Sequence, residues 1–240
     1  MTNNPKGTIT VVSAHSADFV WRAGGAIALY HDLGYQVRVL CLSYGERGES
    51  ARLWKQGRTL DEIKAIRRFE AEQAAEILGA QVRFFDAGDY PLETTKELQD
   101  EIVQEFREHR PEFILTHSLT DPYNADHPRT TEFVLECRIL AQAHGYPSDF
   151  PVIGAPPVFL YEPHQPEQCN FQVDVLLNIT PVFERKRKAM ECMAAQEHLW
   201  AYYTDVAKRR GVQAGRNSGG SIQYGEAYQR VYPYVGEVLV

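Results

Sequence analysis

Two short polar motifs, each close behind an apolar run, most constrain how this chain can fold. The segment 15–18 (His-Ser-Ala-Asp) follows the run 9–12, and the segment 124–127 (Asn-Ala-Asp-His) comes soon after 113–115. Short runs rich in β-branched and apolar residues are typical of buried strands. In open α/β sheets, functional side chains gather beyond the carboxyl ends of the strands. We therefore expect the two motifs to meet at one edge of a sheet.

Strand-like and helix-like segments alternate along the first half of the chain. The predicted strands are 8–14, 36–43, 82–85, 113–117, 158–161 and 173–179. The predicted helices are 19–33, 60–78, 94–109, 128–144 and 181–207, the last with a break expected near Leu199. This order predicts an α/β fold, a Rossmann-like and mainly parallel sheet with helices on both faces.

The chain is expected to form a single domain. Residues 1–145 make the Rossmann-like core, and residues 146–240 form an irregular C-terminal extension that carries substrate-pocket loops. The glycine-rich stretch 211–222 is expected to be a mobile loop or lid.

Composition narrows the class of protein. A hydrophobic content of 44% suits a sizeable core, and a net charge of -7 argues against a nucleic-acid partner. The four cysteines form no CxxC pair, which suits a reducing cytoplasm. The polar segment 1–8 lacks the apolar core of a signal peptide, and no apolar run reaches the ~20 residues that span a membrane. We expect a cytoplasmic enzyme with no membrane partner.

The motif residues offer a metal site. His15, Asp18 and His127 supply two imidazoles and a carboxylate, a common ligand set for catalytic zinc, although other divalent ions also accept it. The alternative is purely structural, because Asp18, Asp121 or Asp126 would also serve as helix caps. Helix capping does not explain why each motif contains a histidine, so the metal site is the favoured interpretation.

The ordered set of motifs resembles the PIG-L/LmbE superfamily, zinc enzymes best known as N-deacetylases of amino sugars. The matching segments are Ala14–Phe19, Gly24-Gly25, Gly45-Glu46-Arg47-Gly48-Glu49, Arg67 with Glu70, Leu78-Gly79 and Asp126-His127. The resemblance is strong over about the first 145 residues. It implies that His15, Asp18 and His127 bind zinc.

Two positions depart from the deacetylase pattern. Ala17 stands where those enzymes carry the aspartate that acts as general base, and Asn124 stands where a histidine helps to polarise the amide carbonyl. Loss of a general base typically costs roughly 10²–10⁴ in rate. A retained ligand set without that base implies a different reaction rather than an inactive enzyme.

One branch of the superfamily, the 4-oxalomesaconate hydratases, fits this description. Segments 14–25, 43–50 and 121–128 are similar to that branch. The resemblance implies zinc-dependent addition of water across the activated C=C of 4-oxalomesaconate, also written 4-carboxy-2-hydroxymuconate. The product would be 4-carboxy-4-hydroxy-2-oxoadipate, in gallate and protocatechuate degradation.

Such a reaction needs a base, an acid and cations for a tricarboxylate substrate. Glu49 and Glu46, in a loop after the second strand, are the candidate bases, with Glu49 preferred, and solvated surface charge is the alternative. His164 follows a predicted strand and is a candidate acid, with a surface histidine as the alternative. Asp126, beside ligand His127, is a further catalytic candidate.

Four residues are candidates for binding the substrate. Arg67 interrupts the apolar stripe of its helix, which predicts either a carboxylate contact or an ion pair that holds the 46–49 loop. Arg47 is a surface charge in the alternative interpretation. Asn124 occupies the position of the deacetylase histidine, and Arg216 would close over the substrate from the glycine-rich loop.

Two other functions remain open from the sequence. One is zinc-dependent deacetylation of a small amide, such as an amino sugar or a thiol precursor, with another carboxylate replacing the missing base. The other is a metal-binding module without turnover. We also expect a homo-oligomer, for which the aromatic-rich C-terminal third would supply the contact surface.

Overall fold

A computed structural model describes residues 5–236 of the protein, and it contains one seven-stranded sheet with the order β3-β2-β1-β4-β5-β7-β6. The segment 1–8 is thus described only from residue 5. The strands are β1 (Thr8–Ser13), β2 (Gln36–Cys41), β3 (Gln81–Phe84), β4 (Ile114–Thr116), β5 (Val158–Tyr161), β6 (Val175–Asn178) and β7 (Gly225–Arg230). The helices are α1 (Asp18–Asp32), α2 (Ala51–Lys55), α3 (Leu60–Leu78), α4 (Lys96–His109), α5 (Asp126–Gln142), α6 (Phe183–Glu191) and α7 (Leu199–Ser218).

Strands β1 to β5 are parallel, which confirms the predicted α/β architecture. Strand β1 pairs with β2 on one side and with β4 on the other, so the direction of winding reverses between β1 and β4. Strand β7, which the sequence analysis missed, runs antiparallel to both β5 and β6. The sheet is therefore mixed at this end.

Helices cover both faces of the sheet because successive side chains of a strand point to opposite faces. Val11 of β1 packs in a core with α1, α3 and α6, whereas Val12 packs in a second core with α4 and α5. Both side chains are fully buried, as expected for a central strand of a parallel sheet.

Helix α3 begins and ends where the sequence predicted. Its start is a capping box, in which Thr59 accepts from the backbone of Glu62 and the Glu62 carboxylate accepts from the backbone of Thr59. It ends at Gly79, whose φ of 82° is a left-handed conformation that glycine adopts at little cost.

The prediction of a mobile loop at 211–222 is wrong, because α7 continues to Ser218. Its glycines serve close packing instead of flexibility. A Cβ at Gly211 would lie 2.3 Å from the carbonyl oxygen of Gln223, and one at Gly215 would lie 2.9 Å from that of Gly220. The segment that leads from α7 to β7 therefore packs with its backbone directly against the backbone of α7. The expected break in the 181–207 helix does occur, over residues 192–198.

Candidate metal centre

The two motifs meet at the carboxyl edge of the sheet, where the direction of winding reverses. His15 follows β1 and His127 begins the first turn of α5 after β4, and these two strands are hydrogen-bonded neighbours. Their ring centroids lie 5.3 Å apart. The loop after β2 brings Glu49 to the same point. The two motifs were expected to meet at this edge, and the pairing of β1 with β4 brings them together.

Four side chains form a compact cluster of donor atoms. His15, Asp18, Glu49 and His127 each offer one ligand atom, and these atoms lie within 4.8 Å of one another. Nδ1 of His15 lies 3.2 Å from Asp18 Oδ2 and 3.2 Å from Glu49 Oε1. Nε2 of His127 lies 3.5 Å from Asp18 Oδ1. The structure therefore brings Glu49 together with the three residues predicted as ligands.

A second carboxylate orients each imidazole. Nδ1 of His127 is 2.8 Å from Asp121 Oδ2, and Nε2 of His15 is 3.3 Å from Asp126 Oδ2. These contacts hold a proton on the outer nitrogen of each ring and turn the other nitrogen toward the cluster. Across residues 5–236, neither inward nitrogen has a hydrogen-bond partner, and both are buried. Such paired carboxylates are typical of histidines that bind metal ions.

The electrostatics of the cluster call for a cation. Burial lowers the pKa of His15, but the negative charges of Glu49, Asp126 and Asp18 beside its ring raise it well above its usual value. Burial raises the pKa of Asp18, yet the neighbouring histidines His117 and His127 hold it well below its usual range. The carboxylates thus require positive charge, which either a proton or a divalent ion supplies.

The donor set fits a divalent metal ion. Imidazole nitrogens and carboxylate oxygens are ligands that zinc accepts, and the inward atoms of His15, His127 and Glu49 Oε2 have no hydrogen-bond partner within the described chain. Because such buried polar atoms are rarely left unpaired, the cluster could hold one metal ion.

Both carboxylate oxygens of Asp126 contact other groups of the protein. Its Oδ1 accepts from the backbone N–H of Leu92, and its Oδ2 accepts from that of Tyr90 and faces His15. Burial raises the pKa of Asp126, but the hydrogen bonds from His15, Leu92 and Tyr90 lower it to about 2. Asp126 therefore links His15 to the loop after β3, and the catalytic role predicted for it stays a prediction.

Two of the loop residues predicted for chemistry point away from the cluster. Glu46 is buried and accepts from the backbone of Tyr44, and it lies with Arg47 and Lys64 beside a separate groove. The Arg47 side chain is 52% exposed. The backbone of this loop is tied to Asp89, so that its neighbouring side chains diverge and only Glu49 enters the cluster.

Arg67 is a structural residue, contrary to the substrate-binding role considered for it. Its side chain is fully buried, and it forms a 2.7 Å ion pair with Glu70. It also donates to Gln196 at 2.7 Å and to the carbonyl of Tyr44 at 3.4 Å. These partners leave it unavailable to a substrate, and they support the loop that carries Glu49. Arg67 thus fits the alternative interpretation, in which an ion pair with Glu70 holds the 46–49 loop.

The remaining substrate-binding candidates differ in their positions. Asn124 lines the cavity, and its side-chain oxygen accepts from the backbone of Asp126 at the start of α5. Arg216 is exposed in the last turn of α7, whereas Leu199 and Tyr203, near the start of that helix, line the cavity. At 1.5 Å per residue, Arg216 is about 20 Å along the helix from Tyr203. The structure therefore does not bring Arg216 to the site.

A cavity of about 260 Å³ opens beside the cluster, and His164 forms part of its wall. The His164 ring stacks on Tyr202 with centroids 4.1 Å apart, and the Tyr202 hydroxyl donates to the backbone carbonyl of His164. Burial lowers the pKa of His164. The structure thus places His164, Glu49 and the cluster around one space.

Several residues at this cavity were not among the predicted site residues, and three of those with charged or polar groups are Arg22, Tyr90 and Asp121. Arg22 follows Asp18 by one helical turn, a spacing that places both on the same face of α1 and would have indicated it. Tyr90 lies after β3, another strand that ends at this edge of the sheet. Asp121, considered only as a helix cap, contacts His127. His117 also approaches the cluster, with Nε2 3.4 Å from Asp18 and the backbone N–H of Ala14 donating to it.

Ala17, at the position of the deacetylase base, is fully buried in the apolar core. It offers no proton acceptor to the cavity. Within residues 5–236, no helix combines the length and apolar character that crossing a bilayer requires.

An open, mainly parallel sheet with a two-histidine, two-carboxylate cluster at its reversal point defines the class of the protein, an α/β enzyme whose cluster could hold a metal ion. The profile of the family described as GlcNAc-PI de-N-acetylase, PIG-L, matches residues 10–138, more than half of the chain. The protein belongs to the PIG-L family.

Its relatives include both hydratases and deacetylases. The 4-oxalmesaconate hydratase of Pseudomonas putida strain KT2440 is 54% identical over 242 residues, which cover 99% of this chain and 94% of that protein. The crystal structure of GalB, the 4-carboxy-2-hydroxymuconate hydratase of the same strain, matches with a TM-score of 0.95 and 54% identity, covering 98% of this chain and 100% of that chain. The diacetylchitobiose deacetylase of Thermococcus kodakarensis is 28% identical over 222 residues, 88% of this chain and 79% of that protein.

Proposed function

We propose that this protein is a metal-dependent hydratase that adds water across the activated C=C of 4-oxalomesaconate to give 4-carboxy-4-hydroxy-2-oxoadipate. The observation that carries the proposal is the 54% identity, over nearly the whole chain, to a 4-oxalmesaconate hydratase. The buried Ala17 agrees with it, because amide hydrolysis would lack its usual base at that position. The proposed setting is gallate and protocatechuate degradation in the cytoplasm, by a homo-oligomer.

Zinc is the proposed metal, held by His15, Asp18 and His127 with Glu49 close enough to join them. When bound there, it would supply a Lewis acid that polarises an oxygen of the substrate.

Glu49 is the proposed general base. Its side chain is 13% exposed at the cavity, and its Oε2 has no hydrogen-bond partner within residues 5–236. Burial raises the pKa of Glu49, but the neighbouring His15 outweighs this effect and lowers it, so the carboxylate is ionised at neutral pH and can accept a proton from water. Glu46 lies beside another groove and has no part in this proposal.

His164 is the proposed proton donor to carbon. It lines the same cavity as Glu49, and it is not committed to orienting a ligand. Because burial lowers the pKa of His164, its protonated form is a stronger acid than an ordinary imidazolium. The stacked Tyr202 holds the ring at the cavity wall.

The test follows the absorbance of conjugated 4-oxalomesaconate in the ultraviolet after addition of purified protein, with and without a chelator. We expect rapid loss of absorbance that the chelator stops and added zinc restores. His15→Ala and Asp18→Ala should lose zinc and activity together. Full activity of a metal-free variant would show that the metal has no part in the reaction.

Matched variants separate the catalytic groups. Glu49→Gln and His164→Asn should each lower kcat by roughly 10²–10⁴, the usual effect of losing an acid or base. Glu46→Gln and the exposed His144→Asn are the controls, and both should retain activity. If zinc-loaded wild-type protein leaves the absorbance unchanged but releases acetate from N,N'-diacetylchitobiose, the proposal is wrong and amide hydrolysis replaces it.

A further inference from the structure

Arg22 carries a buried guanidinium with a long ion pair and two unmet hydrogen-bond donors. Its side chain is 5% exposed, and its Nε and Nη1 atoms are buried without a hydrogen-bond partner among residues 5–236. The Asp18 carboxylate that faces it lies 3.8 Å from Nε, beyond hydrogen-bond distance. By contrast, buried Arg67 hydrogen-bonds to Glu70 and Gln196. Buried donors of a charged group that make no hydrogen bond are costly, so Nε and Nη1 of Arg22 require an acceptor.

The acidic residues behind Arg22 are already paired with other cations. A void of about 20 Å³, room for about one water molecule, separates Arg22 from Glu162 and Glu226. Glu162 accepts from Arg210 Nε at 2.9 Å, and Glu226 forms a 2.7 Å ion pair with Lys186. Neither carboxylate is free to neutralise Arg22.

On its other side Arg22 lines the 260 Å³ cavity beside the metal cluster. The carboxylates of Asp18, Glu49 and Asp121 line the same cavity, and they would repel an anion. Within the described part of the chain, Arg22 is the only lysine or arginine in this lining. A substrate with several carboxylates therefore needs Arg22 as well as a metal ion to offset the acidic wall.

We propose that Arg22 binds a carboxylate group of the substrate and thereby selects polycarboxylates over neutral amides. The proposal rests on the proposed hydratase function. A planar guanidinium suits this task because it can donate two parallel N–H bonds to one carboxylate. Since Arg22 lies one turn from Asp18, the carboxylate that it binds is the one nearest the metal cluster.

The first experiment compares Arg22→Met with wild-type protein, both loaded with zinc. Loss of a charge-assisted hydrogen bond should raise KM by about 10- to 100-fold. It should leave kcat within a few-fold, because the carboxylate is held alike in the ground and transition states. The inhibition constant of propane-1,2,3-tricarboxylate should rise by a similar factor. Arg22→Lys should recover part of the loss, and Arg58→Met, at an exposed ion pair, should change nothing.

Zinc content and thermal unfolding separate this role from a structural one. Because the ion pair of Arg22 with Asp18 is long and two of its donors are unmet, Arg22→Met should lower the melting temperature less than Arg67→Met. Arg67→Met should lower it, because Arg67 is fully partnered. If folded, zinc-loaded Arg22→Met keeps KM and the inhibition constant within twofold of wild type, the proposal is wrong.

A structure of wild-type protein with zinc and propane-1,2,3-tricarboxylate tests the proposal without any variant. We expect a carboxylate within hydrogen-bond distance of the Arg22 guanidinium, and a bound tricarboxylate that does not contact Arg22 would overturn the proposal. Absence of hydratase activity in wild-type protein would instead count against the proposed function. Binding of the tricarboxylate would still decide the role of Arg22.

Discussion

Replacing Asp121 by asparagine should weaken zinc binding although Asp121 is not itself in the donor cluster. The Asp121 carboxylate lies 2.8 Å from Nδ1 of His127, and both side chains are at most 5% exposed. The negative charge favours the tautomer that carries its proton on Nδ1, which leaves Nε2 as the electron-pair donor. An asparagine can rotate to present N–H to Nδ1, and the proton then belongs on Nε2, where it blocks the ligand atom.

The size of the effect follows from the contact. A hydrogen bond to a charged group contributes about 1.5–3 kcal/mol, and comparable outer partners of metal ligands change metal affinity by about 10- to 100-fold. Tenfold corresponds to about 1.4 kcal/mol. Because an amide oxygen still accepts a weaker hydrogen bond, we expect about tenfold weaker zinc binding for Asp121→Asn and up to about 100-fold for Asp121→Ala.

The assay is competition for zinc with a chromophoric chelator, followed by titration of activity against free zinc. Asp174→Asn is the matched control, because that carboxylate accepts from the backbone of Arg230 far along the chain from the cluster. Asp121→Asn protein with wild-type zinc affinity would refute the idea that Asp121 sets the tautomer of His127. A loss in the Asp174 control as large as in Asp121→Asn would refute it equally.

Three further predictions concern stability and loop geometry. Arg67→Met should lower the unfolding free energy by about 3–5 kcal/mol in urea, since it leaves Glu70 buried and unpaired, whereas Arg58→Met should cost less than about 1 kcal/mol. Burial raises the pKa of Glu105, but hydrogen bonds from Arg83 and Arg38 outweigh that effect and lower the pKa. The ionised Glu105 carboxylate therefore stabilises the folded protein fully above the unfolded pKa of about 4.3. This stabilisation is lost as the pH falls through the lower pKa of the folded state. Glu105→Gln should therefore flatten the loss of stability that wild-type protein shows as the pH falls below about 4.3, and an unchanged slope in acid denaturation would contradict this. Gly48→Ala would place a Cβ 2.0 Å from the Tyr90 ring and, by shifting that wall of the cavity, should lower kcat/KM by up to about 100-fold, while Gly154→Ala, which meets nothing within 4 Å, should retain it.

The sequence alone determined the elements of the core and the chemistry of the ligands. Alternating apolar and amphipathic segments are local signals, so the parallel strands and the bounds of α3 could be read directly. The residue types of His15, Asp18 and His127, placed after strands, were enough to indicate a metal site. Strand β7 escaped because Gly225–Arg230 has little apolar alternation and depends on pairing with β5 and β6.

The tertiary structure decided which polar residues face the cavity. Arg67 and Arg22 are both buried arginines on helices, yet neighbouring Glu70 and Gln196 engage the first, while the second borders an open space. Glu46 and Glu49 share one loop, and the hydrogen bonds from its backbone to Asp89 and from Trp54 to the carbonyl of Glu46 help to fix which of them turns inward.

The glycine-rich segment before β7 is another feature whose structure depends on tertiary contacts. A glycine in a sequence can indicate either a flexible backbone or close packing against another segment. Which of the two applies depends on the segment that packs against that glycine. For Gly211 it is the backbone of Gln223, so α7 extends through a stretch that resembles a loop. Local propensity is thus encoded along the chain, whereas the partner of a buried charge or a glycine is supplied by segments distant in sequence, and only folding brings them together.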